Sequence, residues 1–178
     1  MILSLVIVFA PLGTGATLSQ AERYYQMVID HIGIVVKSLD EGIAHWQDVF
    51  GYRQATEKIT NTRQKVHVVF LEKAGSIPIK LVEPADPESA VTALAKRGGG
   101  LHHLCFRCED LNKALQHCKD KKLRVLATPQ PGEAFDNENI AFVFAKQGLN
   151  VELIDTDKRA NRLETSFVPD NGFSSPYS

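Results

Sequence analysis

Gly98-Gly99-Gly100-Leu101-His102-His103-Leu104-Cys105-Phe106-Arg107-Cys108 is the stretch that decides how this chain is read. Three glycines end one element at little steric cost, and the alternating apolar run from Leu101 predicts a strand with a histidine near its start. The same pattern recurs 72 residues earlier, where Asp30-His31-Ile32-Gly33-Ile34-Val35-Val36 lies over His102-His103-Leu104-Cys105-Phe106-Arg107-Cys108. The register holds further out. Leu39 falls on Leu111, Val68-Val69-Phe70-Leu71 on Ile140-Ala141-Phe142-Val143, and Ile79-Lys80-Leu81-Val82 on Val151-Glu152-Leu153-Ile154. Such a repeat takes precedence over any single motif, because one unit alone leaves its apolar face uncovered.

Two copies make one domain of the α+β class. In the first, Val28 to Val36 is a strand rich in β-branched residues. Ser38, Leu39 and Asp40 then open a helix with Leu39, Ile43, Trp46 and Phe50 on its buried face, and Gly51 stops it. Lys65 to Glu72 and Ile77 to Glu83 read as further strands. Pro84 breaks the last of these, and Pro87 to Lys96 is predicted to be a linker helix. The second unit repeats the pattern with strand Leu101 to Cys108, helix Leu111 to Lys121, a short strand near Arg124 to Ala127, and strands Ile140 to Ala145 and Asn150 to Asp155. The Pro- and Gly-containing stretch from Thr128 to Asn139 is a loop of the length that often covers a site. The units thus occupy residues 27–84 and 99–156, joined by the linker at 86–97. Polar residues 157–178 are predicted to be a flexible tail.

Residues 1–26 read as an extension outside the fold. Met1 to Ala10 is apolar but about half the length that crosses a bilayer. It resembles the apolar part of a secretory signal, but no Lys or Arg precedes it, and Met27 is an alternative start.

At 178 residues and 44% hydrophobic, the chain is long enough for one sizeable core. Its 20 basic and 21 acidic residues contain no basic run, which argues against nucleic acid as a partner. Three cysteines, an odd number, suit a reducing cytoplasm. Cys105 and Cys108 are three residues apart in a strand and point to opposite faces, so they do not chelate together.

The repeat picks out four equivalent positions, His31 and Lys80 in the first unit and His103 and Glu152 in the second. Units related by a pseudo-two-fold axis bring these side chains together from four strands. Imidazole plus carboxylate suits one divalent metal ion, whether cobalt, manganese, nickel, zinc or iron(II). A lone histidine is ordinarily a core or edge residue, and His45 and His117 are read so. The symmetric placement of His31 and His103 sets them apart. Strand alternation points His102 away from this centre, and leaves His67 on the face opposite Val68.

On these residues the chain resembles the vicinal oxygen chelate superfamily, and within it methylmalonyl-CoA epimerases more than glyoxalase I. The resemblance covers Met27 to Asp155. It is carried by Asp30 to Val36, Leu81-Val82-Glu83-Pro84, Gly98 to His103 and Val151-Glu152-Leu153-Ile154. It implies two tandem βαβββ units forming a cupped mixed β-sheet around a metal held by His31, His103 and Glu152. It also implies an isomerase, or a related lyase of the superfamily, acting on a small molecule, an acyl-CoA thioester, through a metal-stabilised enolate, with Glu152 in both ligation and proton transfer. A homodimer is the expected assembly.

Lys80 departs from the family, which has a glutamine or glutamate ligand at the matching position. An ammonium has no lone pair to offer a metal. Either a bound dication favours the neutral amine, making Lys80 a ligand or a catalytic acid/base, or Lys80 lies beside a three-ligand metal and binds a substrate carboxylate, or Lys80 and Glu152 pair in a metal-free cup. The last outcome implies a small-molecule binding protein of the bleomycin-resistance kind. A set of two histidines and one carboxylate also matches the iron(II) dioxygenases of the superfamily. The family's second base falls on Val68 in the ungapped match and is left unplaced by it.

Overall fold

The computed structural model describes residues 27–164, so the extension 1–26 and residues 165–178 lie outside the described residues. The β-branched and aromatic runs form β1 (Val28–Val35), β2 (Arg53–Gln54), β3 (Ile59–Asn61), β4 (Val66–Glu72), β5 (Ile79–Pro84), β6 (Gly100–Arg107), β7 (Arg124–Pro131), β8 (Asn139–Phe144) and β9 (Asn150–Ile154). They join in one mixed sheet ordered β2-β4-β5-β1-β6-β9-β8-β7, with β3 on β4. At its centre β1 and β6, the first strands of the two units, pair antiparallel. Each then pairs parallel with the last strand of its own unit, β1 with β5 and β6 with β9. The repeat in the sequence is therefore a two-fold relation in space.

Helix caps repeat with the same spacing. In α1 (Leu39–Phe50), Ser38 caps the N-terminus and the Glu83 carboxylate accepts from the Leu39 amide at 2.9 Å. In α3 (Leu111–Asp120), Asp110 caps and the Asp155 carboxylate accepts from the Leu111 amide at 3.1 Å. Side-chain oxygens thus satisfy amides that no helical partner reaches, and tie each helix to the last strand of its unit.

α1 and α3 cover the face of the sheet opposite the cup. α1 packs Leu39 against Val69, Leu71 and Leu81, and α3 packs Leu111 and Leu115 against Ala141, Val143 and Leu153. Val68, Phe70, Val82, Cys105, Phe142 and Ile154, the alternate positions of the same strands, form a third cluster inside the cup. Period-two alternation thus divides the strands between helix-facing and cup-facing residues.

Gly99 lets the second unit start close against the first. A Cβ there would lie 2.2 Å from the Val35 carbonyl oxygen, and its φ of +82° suits glycine.

Four expectations need correction. The linker contains only a short helix, α2 (Thr92–Lys96), because residues 86–92 close four-residue turns instead, Ser89 onto Asp86 and Thr92 onto Ser89. β7 runs on to Pro131. It is an edge strand, where prolines at 129 and 131 cost no interior ladder bond, and a register irregularity between Ala127 and Gln130 absorbs the first. A 3-10 turn, Glu133–Phe135, follows. Phe50 is exposed and stacks on Trp46 at 4.9 Å rather than entering the core. Finally, the chain does not leave the domain at 157. Ala160 packs on the cup cluster, and residues 160–163 hydrogen-bond to Ala134 and Ala55.

Candidate metal and catalytic site

Two cross-strand rows line the base of the cup. In one, Phe70, Lys80, Gly33 and His103 are successive partners across β4, β5, β1 and β6. In the other, His31, Cys105, Glu152 and Phe142 are partners across β1, β6, β9 and β8. The rows are related by the repeat, Lys80 matching Glu152, Gly33 matching Cys105 and His103 matching His31. All four residues singled out from the sequence meet here.

His31 and Glu152 are 0% exposed, His103 is 2% and Lys80 is 3%. His31 Nε2 is 3.0 Å from Glu152 Oε2, His103 Nε2 is 3.2 Å from the same oxygen, and the two Nε2 atoms are 3.4 Å apart. Lys80 Nζ donates to both carboxylate oxygens at 3.1 Å.

The donor set fits a divalent ion. Ligands ~2.1 Å from one cation at tetrahedral or octahedral angles lie roughly 3.0–3.4 Å apart, the range of this triangle. Each histidine is also turned so that Nε2 faces the centre. His31 Nδ1 is 2.7 Å from Asp30 Oδ1, and His103 Nδ1 is 2.8 Å from His102 Nδ1. Partners of this kind fix the ring and its tautomer. Lys80 can keep Oε1 of Glu152 while an ion takes Oε2. Asp30, His31 and Cys105 form a second grouping with metal-like spacing. Burial and the nearby Glu152 charge push the Cys105 thiol well above its ordinary value, which keeps it a poor ligand.

Sequence alternation misplaced His102, and the sheet register explains it. Across β1 and β6, Ile29 pairs with Phe106 and His31 with Cys105, skipping Asp30. Likewise Gly33 pairs with His103 and Ile34 with Leu101, skipping His102. Irregularities at equivalent positions turn Asp30 and His102 toward the histidine that follows each. The signal was in the aligned pairs Asp30-His31 and His102-His103. His67 bonds Thr60 at 3.0 Å on the opposite face from Val68, as alternation requires.

Arg159 is the other residue that sequence reading missed. It pairs with Asp30 and lies over the rings of Phe70 and Phe135 at 4.7 and 5.0 Å.

Charge in the site follows from this packing. Burial alone would raise the Glu152 carboxyl, but Lys80 beside it and hydrogen bonds from His103 and His31 outweigh that and hold it well below the usual range. Burial would likewise raise Asp30, and the His31 hydrogen bond and the Arg159 guanidinium keep it low. Burial pushes the His103 imidazole down to about 4, more than the Glu152 carboxylate restores.

The His103 shift sets a pH dependence for the metal-free protein. Below pH ~6.5 the unfolded chain protonates this histidine while the folded chain does not, so stability falls as pH falls toward 4, by about 3 kcal/mol in all. The depressed carboxyl of Glu152 adds loss in the same direction below its usual range. Urea unfolding from pH 7.5 to 4.5 measures this, and a flat profile would contradict it.

Gly33 gives a second expectation. A Cβ there would lie 2.0 Å from His103 Cε1, so Gly33→Ala displaces the ring. Overpacking of this kind costs about 1–3 kcal/mol. Metal titration beside thermal unfolding should show the folded variant losing metal affinity.

A family model for the glyoxalase/bleomycin resistance protein/dioxygenase superfamily matches residues 30–142. The chain belongs to that superfamily. Among similar proteins is the uncharacterized protein YqjC of Bacillus subtilis, 34% identical over 128 residues that span 70% of this chain and 89% of that one. The mitochondrial methylmalonyl-CoA epimerase of Bos taurus is 28% identical over 101 residues, 56% of this chain and 57% of that protein. The crystal structure of methylmalonyl-CoA epimerase from Mycobacterium tuberculosis superposes with a TM-score of 0.66 at 28% identity, covering 79% of this chain and 93% of that one. The two epimerases are isomerases by name, and the Mycobacterium tuberculosis structure shares the cupped α+β sheet described above.

Proposed function

We propose that this chain is a metal-dependent epimerase of 2-substituted malonyl thioesters, acting on an acyl-CoA as the epimerases it resembles do. The observation that carries this is the convergence of His31, His103 and Glu152 on one point beside Lys80. His31, His103 and Glu152 Oε2 would hold a divalent ion. Such an ion, when bound, polarises the thioester carbonyl and offsets the charge of the enolate.

The chain's own residues then handle the proton. Glu152, held in its ionised form, accepts the α-proton, and the Lys80 ammonium delivers a proton to the opposite face. In the closed cup the two groups touch, so the substrate carbon has to part them. Phe70, Phe135 and Phe142 wall the site with apolar rings and keep water from the enolate. Asp30 and His102 hold the two imidazoles in place. The three cysteines are free and buried, in keeping with a cytoplasmic setting, and we carry the homodimer over as part of the same proposal.

The test is deuterium incorporation at C2 of methylmalonyl-CoA in D2O, followed with loss of optical activity. Metal-loaded protein should catalyse both, and a chelator should stop both. Absence of exchange with each candidate metal loaded would overturn the proposal.

A second reading is favoured by one contact. The Lys80–Glu152 pair fills the position of a fourth ligand and could close a metal-free cup that only binds a ligand. That protein would bind no metal and turn nothing over.

A further inference from the structure

The four central side chains are at most 3% exposed, so no thioester reaches them in this closed form. Two pieces of chain make the closure. The 3-10 turn after β7 sets Phe135, 0% exposed, above His31 at a ring distance of 6.0 Å. The segment after β9 crosses between the two units. Asn161 O accepts from the Glu57 amide and Leu163 N donates to Ala55 O in the first unit, while Ala160 N donates to Ala134 O in the second. A left-handed turn at Asn161 sends Arg162 outward to Glu72, while Arg159 points inward.

Arg159 ties this segment to the site residues by an ion pair at the base of the cup. Its guanidinium, 7% exposed, pairs with the Asp30 oxygen that also holds His31 Nδ1, and it covers Phe70 and Phe135. The segment's other ion pairs, Lys158 with Glu138 and Arg162 with Glu72, are exposed and contribute little.

We propose that residues 156–163 are a strap that closes the cup, that Arg159 is its latch, and that a carboxylate-bearing ligand opens it by replacing Asp30 on the guanidinium. The planar fork of an arginine binds either carboxylate in the same way. Asp30 keeps its bond to His31 after the exchange, so opening leaves the metal-facing nitrogen of His31 in position. The choice of a carboxylate ligand rests on the proposed malonyl-type substrate. The closure does not.

Hydrogen exchange of the Glu57, Ala160 and Leu163 amides tests this without requiring metal or turnover. In wild-type protein these amides should be protected, and malonate should speed their exchange by roughly tenfold over sodium chloride of equal ionic strength. Arg159→Gln should exchange fast with or without malonate, and its circular dichroism should match wild type. An unprotected strap, no response of wild type to malonate, or an equal response to chloride would overturn the proposal, and the wild-type arm decides the matter if the variant fails to fold. A strap that opens to malonate in a protein that catalyses no C2 exchange would sink the epimerase reading and leave the latch standing.

Discussion

Glu152→Gln is expected to lose metal binding, to lose C2 exchange by roughly 10²–10⁴-fold, and to destabilise the metal-free fold by about 3–5 kcal/mol. The stability loss comes from Lys80. Its ammonium is 3% exposed and has both Glu152 oxygens as acceptors, and a neutral amide leaves that charge uncompensated. Removing both charges separates structure from chemistry. Glu152→Gln combined with Lys80→Met should recover most of the stability, since replacing a whole buried pair is often neutral or better, yet recover no exchange. Denaturant unfolding, metal titration and the D2O assay give the three readings. A single variant within about 1 kcal/mol of wild type would show that Lys80 is not held by Glu152.

Lys80→Gln should do the opposite to metal. The substitution supplies a carbonyl oxygen beside the three proposed ligands, and removes the ammonium that competes for Glu152. Metal affinity should rise. Without metal the Glu152 carboxylate loses its cation and the fold should weaken by about 3–5 kcal/mol, whereas saturating metal at a thousandfold excess over Kd returns roughly 4 kcal/mol. Thermal unfolding with and without cobalt reads this directly. Catalysis should split as well. With Glu152 intact, one face of the α-carbon still exchanges with solvent. Without Lys80, inversion should fall while that exchange persists. Equal loss of exchange and inversion would place the proton donor elsewhere.

Much of this architecture was legible in the repeat. An offset of 72 residues brought His31 over His103 and Lys80 over Glu152, and the structure sets these pairs 3.4 and 3.1 Å apart. Period-two alternation also divided Cys105 from Cys108, which lie in different clusters. What escaped is equally specific. Alternation fails where the β1–β6 ladder skips a residue, so the turned-in positions of Asp30 and His102 could not be read from period alone. Arg159 has no counterpart in the repeat, and most of its neighbours are polar, so nothing in composition marked 156–163 as a strap over the cup. Its partners are backbone groups of Ala55, Glu57 and Ala134, which any sequence could supply.

The most direct measurement is the metal content of untagged protein, beside His31→Ala and His103→Ala. A metalloenzyme built on these three ligands should carry one divalent ion per chain, lost in both variants, and the loaded protein should exchange the C2 proton. No divalent ion in wild type after incubation with cobalt, manganese, nickel, zinc and iron(II) in turn would contradict the account and leave a metal-free cup closed by Lys80 and Glu152.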